Sequence, residues 1–245
     1  MKTEVFKIVV MVLIITGGLT SCTEKEVMQE YCADELNAQV ENASNYNNVV
    51  EVKLMMHDSN VGWELELVRS NWKDGGFAIE LPKTLAANYL HPLVNNVSVS
   101  MPYIVHYTPS TLSISNENVK VGTAFFWGID KNSNTVTHFY PFKIDENGNA
   151  QRVFFTFVAS DITISGYNEI EAVIAEDSEY EFAHYLYLWQ KTTTFSINWK
   201  KGWNVWCLSS FQSKEERTIT EHWSTITANE LKWYSGEDLW KLNIN

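Results

Sequence analysis

The sequence predicts an all-β protein, an antiparallel β-sandwich built either as one large sandwich or as two small ones in series. Three observations carry this reading. From Val49 onward, short runs alternate apolar and polar residues with the period of two that a strand with one buried face requires. Turn chemistry separates the runs at Asp74-Gly75-Gly76, Asp130 to Asn134, Asn147-Gly148 and Lys201-Gly202. Beyond the N-terminus, no apolar pattern with helical period is long enough to cover a parallel sheet.

The chain opens with Lys2 and Lys7, the unbroken apolar run Ile8 to Ile15, and then the small residues Gly17, Gly18, Thr20 and Ser21. That layout reads as a secretory signal peptide over residues 1–21. Its apolar run falls well short of the roughly 20 residues a membrane-spanning helix needs. Leu19-Thr20-Ser21-Cys22 resembles the lipobox of bacterial lipoproteins, in which small residues lead the chain into a signal peptidase and the cysteine thiol accepts a lipid. The resemblance implies a diacylglyceryl group on Cys22, and two acyl chains suffice for stable anchoring because each buried methylene contributes about 0.8 kcal/mol. The membrane is therefore an expected partner. Glu24, Lys25 and Glu26 resemble the acidic tag that sends Bacteroidota-type lipoproteins to the outer face of the outer membrane, and they read equally as a charged spacer. The expected location is the outer membrane, with the cell surface favoured over its periplasmic face.

Between Thr23 and Asn48 the chain is polar and rich in Asn, with Val27, Tyr31, Leu36 and Val40 spaced as on one helix face. Residues 22–48 thus read as a lipidated tether with a short helix. The β body follows over residues 49–245. Val50, Val52 and Leu54 share one strand face, and Trp63, Leu65 and Leu67 are expected to point inward from the next strand, leaving Glu64 and Glu66 to water. If there are two sandwiches, their boundary falls between about residues 109 and 141. The clearest hairpin signal is Phe195, Ile197, Trp199, then Lys200-Lys201-Gly202, then Trp203, Val205, Cys207, with Gly202 supplying a positive φ. No internal repeat is evident.

Composition narrows the function classes. The 245 residues carry a net charge of −12, and loss of the signal peptide makes the body slightly more acidic. Such a surface repels phosphate backbones, so nucleic acid is not an expected partner. With Cys22 acylated, Cys32 and Cys207 are the remaining thiols. They are expected to stay unpaired, one in the polar tether and one in a strand-like run.

Several phrases carry a broader resemblance. Gly76-Phe77-Ala78-Ile79-Glu80-Leu81-Pro82 with Tyr89-Leu90, Asp161-Ile162-Thr163-Ile164-Ser165-Gly166, Lys200-Lys201-Gly202-Trp203-Asn204 and Leu231-Lys232-Trp233-Tyr234 together resemble a Bacteroidota-type outer-membrane lipoprotein family of unknown function. The resemblance implies a cell-envelope lipoprotein and brings no catalytic residues with it. The first phrase is also similar to the sheet-edge pattern of transthyretin-like and carboxypeptidase-regulatory-like modules, an analogy at the level of fold.

The search for chemistry finds no motif. Carboxylate neighbours such as Glu64 with Glu66, Glu169 with Glu171, Glu215 with Glu216, and Glu237 with Asp238 read as solvated surface. Asp130, Asn132 and Asn134 have the one-three-five spacing of a calcium loop, but Thr135 and Pro141 stand where an EF-hand needs Gly and Glu. The Asp and Asn side chains, and those of Asp145 to Asn149, are better spent on their own backbone. Six histidines at 57, 91, 106, 138, 184 and 222 show no metal-ligand spacing, so neither a metal nor another cofactor is expected. No serine sits in a nucleophile motif.

Aromatic residues make up 13% of the chain, and seven of the tryptophans fall after residue 185. Trp203 and Trp206 lie on opposite faces of one strand; buried packing is the favoured reading of Trp206, and exposure of one indole, if one sheet face is open, is the alternative. Trp203, Trp206 and Asn204 are therefore candidate glycan contacts, an indole face stacking on a sugar ring beside an amide. The leading expectation is a non-enzymatic binding or structural module with a glycan or an envelope protein as partner. A surface glycan-binding lipoprotein is the alternative, and a hydrolase assembled from distant carboxylates is a third class.

Overall fold

The computed structural model describes residues 35–58, 60–93, 104–108, 111–177, 184–228 and 231–242. Leu19, Thr20, Ser21, Cys22 and Cys32 lie outside them. The fold is all-β, as the alternation predicts. Its strands are β1 (Glu35–Gln39), β2 (Glu51–Asp58), β3 (Trp63–Asn71), β4 (Gly76–Glu80), β5 (His91–Pro92), β6 (Ile104–Thr108), β7 (Ser113–Ile114), β8 (Lys120–Ile129), β9 (Thr135–Ile144), β10 (Ala150–Val158), β11 (Ile162–Asp177), β12 (His184–Trp199), β13 (Gly202–Ser213), β14 (Thr218–Thr225) and β15 (Lys232–Ser235). The main sheet runs β3-β2-β8-β9-β10-β13-β14-β12-β11-β6, with β15 joined to β9, β5 to β8 and β7 to β11.

Alternating side chains give this sheet two buried faces. Val52, Leu54 and Met56 on β2, Ala124 and Phe126 on β8, Val153, Phe155 and Phe157 on β10, and Trp203, Val205 and Cys207 on β13 enter one core. Across it lie Leu36 and Ala38 of β1, Phe77 and Ile79 of β4 and Trp233 of β15. This second layer is short: β1 pairs with β4, and the chain just past β1 meets β15 through the Val40–Trp233 bridge. The intervening residues Val121 and Val158, with Trp206, belong to a second core with Ile162 and Ile164 of β11 and Phe195, Ile197 and Trp199 of β12.

Several joints follow from local chemistry. At Asp74 and Gly75 both φ values are positive (52° and 78°), and Lys73 and Gly76 exchange both backbone hydrogen bonds, the two-residue turn that suits the twist of a hairpin. Asp130 Oδ1 accepts from the N–H groups of Asn132 and Asn134, and Asp145 Oδ1 from those of Asn147 and Asn149. Both loops thus spend their carboxylates on their own backbone. Those bonds, led by the one from the last Asn, hold both carboxyls below the usual range.

The structure corrects four expectations. Residues 35–46 of the supposed tether are built into the fold: Leu36, Ala38 and Val40 are buried at strand spacing, and the 3-10 turn Ala43–Tyr46 buries Tyr46. The helical spacing of Leu36 and Val40 coincides with this period of two, and pairing with β4 decides between them. Trp63 is 62% exposed instead of inward. A bulge between Leu54 and Met55 places Val68 and Leu65 opposite Leu54 and Met56, and Trp63 falls past the end of the core. The range 109–141 holds β8 and the start of β9, and β8 pairs with β2 on one side of that range and with β9 and β10 on the other, so a boundary there would divide one continuous sheet.

The fourth correction concerns the hairpin at Lys200-Lys201-Gly202. Gly202 does take a positive φ of 107°, but β12 and β13 do not pair with each other. β14 is inserted between them, antiparallel to β13 and parallel to β12, the single parallel strand pair among the described residues. The corner is held without a ladder: the Asn204 side chain accepts from Lys200 N–H at 2.9 Å and donates to the Lys200 and Gly202 carbonyls, while Asp161 accepts from Lys201 N–H at 2.8 Å.

Candidate functional site

The face of the sheet turned away from the first core carries a groove of about 540 Å³. That is within the range of about 300–1,000 Å³ common for small-molecule sites. Strand alternation builds its floor, with Val121, Thr123 and Phe125 from β8, Phe154 and Thr156 from β10, and Trp206 and Leu208 from β13. Ile164 of β11, Trp199 of β12 and Trp223 of β14 line it as well. His57 of β2, His91 of β5 and Leu93 complete it on the β2 side of the sheet.

A row of stacked rings runs across four strands. The Arg152 guanidinium lies 5.1 Å from the centre of Phe154. Phe154 stacks on Trp206 at 4.3 Å and 16°, and Trp206 on Trp223 at 4.7 Å and 19°. Phe195 follows at 5.4 Å from Trp223. The register explains the row, since Phe154 stands opposite Trp206, and Trp223 opposite both Leu208 and Phe195. Ring faces are spent on one another, so the groove meets ring edges, which carry the positive end of the aromatic quadrupole.

The polar atoms of the lining are few. Trp206 Nε1 donates to Thr156 Oγ1 at 3.0 Å, and that oxygen is 3.2 Å from Thr123 Oγ1. Among the described residues, Trp199 Nε1 is buried without a partner, as is Asn168 Oδ1 on β11. Behind the stack, Glu221 accepts from Lys191 Nζ at 2.5 Å and from Trp223 Nε1 at 3.5 Å, so this acid braces Trp223 without lining the groove. On the other side, the His57 and His91 rings lie 5.1 Å apart, with His91 Nε2 3.3 Å from the His57 carbonyl oxygen. Asp58 points to the opposite face and takes hydrogen bonds from Asn60 N–H and the Asn88 amide. Burial works against its charge, and those bonds outweigh it, holding the carboxyl below the usual range. The Asn88 bond ties the 3-10 turn Ala87–Tyr89 to β2, which sets His91 beside His57.

The three candidate glycan contacts do not form an exposed platform. Trp203 is 8% exposed, set edge-on to Phe157 with Nε1 donating to the Pro82 carbonyl at 2.8 Å. Asn204 is fully buried and spent on the corner. Trp206 is 6% exposed and enters the groove floor, both faces taken by Phe154 and Trp223. Both faces of the strand are covered, which is why neither indole reaches open water.

Of the other residues singled out, Glu66 pairs with Lys53 and Arg69, and Arg69 with Glu51, on a polar sheet surface. Cys207 is buried and unpaired, with its sulfur 3.2 Å from Ser224 Oγ. Among the described residues, no three His, Cys, Asp or Glu side chains cluster as metal ligands. Sequence reasoning missed His57, His91, Phe154, Trp199 and Trp223 as a set. The available signal was that Phe154 and Phe155, and likewise Val205 and Trp206, are apolar on both faces of their strands.

The phrases noted in the sequence mark joints of the fold. Gly76 to Pro82 forms β4 and receives Trp203, Asp161 to Gly166 opens β11, Lys200 to Asn204 makes the corner, and Lys232 to Tyr234 falls in β15. Comparison of the chain with protein-family models, curated proteins and solved structures finds no match.

Proposed function

We propose that this chain is a lipid-anchored envelope protein, tethered through Cys22 at the outer membrane, whose β body is a non-enzymatic module that binds a small ligand in the aromatic groove. The observation that carries the binding reading is the groove itself: about 540 Å³ walled by Phe154, Trp199, Trp206, Trp223 and aliphatic side chains, with no Asp or Glu among the described residues of its lining. Such walls favour burial of apolar surface, at about 25 cal/mol for each Å² removed from water. The anchoring reading rests on the signal peptide and the lipobox Leu19 to Cys22.

Fractionation of cells expressing the Cys22→Ser variant tests the anchor. The protein is expected to move from the membrane fraction to the soluble one, and firm retention contradicts it. Titration with the neutral dye Nile red tests the groove. Energy transfer from tryptophan to bound dye is expected, and it is lost when Thr123→Phe fills the groove. Absence of saturable binding refutes the ligand-binding reading.

A further inference from the structure

We infer that the groove takes an amphipathic carboxylic acid, with its apolar body along the Phe154–Trp206–Trp223 row and its carboxylate on the His57–His91 pair. This rests on the reading of the groove as a ligand site and adds the chemistry of the ligand. The body follows from the walls, which are mostly aromatic and aliphatic side chains. The head follows from elimination among the polar atoms of the lining. Thr123 and Thr156 already bond with each other and with Trp206 Nε1. Trp199 Nε1 is sealed from solvent. Among the described residues the His57 ring makes no hydrogen bond, and His91 uses only Nε2, toward a backbone oxygen.

The two imidazoles lie 5.1 Å apart; His91 Nε2–H faces the His57 carbonyl oxygen, so Nδ1 of that ring is its acceptor, while His57 has an N–H to give. A carboxylic acid matches both, its O–H proton passing to His91 Nδ1 and its two oxygens then accepting from the two rings. The charge pattern agrees. The chain has 30 acidic residues, yet among the described residues none lines the groove, and the two histidines are the ionisable side chains that do. Glu64, the cross-strand partner of His57, is outside the lining, and Asp58 is turned to the opposite face.

The test uses the processed chain, residues 22–245, with Cys22→Ser so that neither acyl chains nor detergent compete. The probes are cis-parinaric acid, its methyl ester and Nile red, each read by energy transfer from tryptophan. The acid is expected to bind roughly tenfold or more tightly than the ester, as loss of a charge-assisted hydrogen bond implies. The His57→Gln/His91→Gln variant is expected to erase that preference while its urea midpoint is kept and Nile red still binds saturably. Equal binding of acid and ester overturns the inference and leaves the groove as a ligand site. So does a preference that survives in the double Gln variant. Failure of all three probes overturns the inference together with the reading beneath it. Acid binding that persists in Thr123→Phe places the acid elsewhere and also overturns it.

Discussion

Trp233→Ala is the substitution that most directly tests how the two layers are held. The ring is 1% exposed and sits between them, with centroids 5.2 Å from Phe77 of the short layer and 4.9 Å and 6.0 Å from Phe126 and Phe155 of the main sheet. Its strand also joins the layers through backbone, since β15 pairs with β9 and the Trp233 carbonyl accepts from Glu41 N–H at 2.8 Å. Burying an indole removes roughly 200 Å² from water, worth about 5 kcal/mol at about 25 cal/mol per Å². Measured Trp→Ala losses in cores run at about 3–5 kcal/mol, so we expect about 4 kcal/mol. That is a large share of the roughly 5–15 kcal/mol by which a domain is stable. Equilibrium urea unfolding followed by far-ultraviolet circular dichroism measures it without depending on the indole removed. Trp63→Ala is the control: that ring is 62% exposed, and its loss should cost no more than about 0.5 kcal/mol. If Trp233→Ala costs less than about 1 kcal/mol, or no more than the control, this core does not hold the layers together.

Four further outcomes follow from particular contacts. A Cβ on Gly76 would lie 2.1 Å from the Ala38 carbonyl oxygen, so Gly76→Ala should force β1 from β4 and cost about 1–3 kcal/mol; Gly148→Ala, with nothing within 4 Å and φ of 83°, should cost about 1–2 kcal/mol from backbone conformation alone, keeping amide-exchange protection in β1 that the first variant loses. Lys241 holds the Asp238 carboxyl below the usual range, against burial and with help from Tyr46, so its contribution is present above the ordinary carboxylate pKa and is lost as pH falls through the depressed one. Asp238→Asn should flatten the acid limb of a urea-midpoint profile, and an unchanged limb refutes it. Tyr46, pushed up to about 12 chiefly by burial, should make stability fall between about pH 10 and 12, a fall that Tyr46→Phe removes. Cys207 should resist a thiol reagent until urea unfolds the sheet, and peptide mapping that finds it labelled in the native protein contradicts its burial.

What the sequence made legible is what alternation and turn chemistry encode locally. The period of two identified the strands, Asp74-Gly75 specified its turn, and the Asp130 and Asp145 loops were correctly read as self-bonded. Alternation fixes which face a side chain takes, but not which strand lies beside it. Nothing in Phe195 to Cys207 says that β14 will enter between the two arms, because the residues that exclude a hairpin, Asp161 and Thr225, are 39 residues before and 27 after their partners Lys200 and Asn198. The His57–His91 pair was illegible for the same reason, its members 34 positions apart.

The excess of tryptophan near the C-terminus is where composition and fold meet. A single core has little use for so many large rings, and exposure of one of them was the natural inference for a strand with one buried face. The main sheet buries both. On β13 the run Trp203-Asn204-Val205-Trp206-Cys207 is buried throughout, Trp203, Val205 and Cys207 toward the short layer and Trp206 toward β11 and β12. A strand covered on both sides reads as a nearly continuous apolar run instead of an alternating one, and that run is visible in the sequence once both faces are taken as interior. Trp233 then belongs to the first core and Trp199, Trp206 and Trp223 to the second. The second leaves the groove of about 540 Å³ beside its rings, where the wall from β8 to β13 continues to His57. The rings that stabilise the fold are thus the same ones that give the groove its apolar wall, so groove variants should be judged by stability and by binding together.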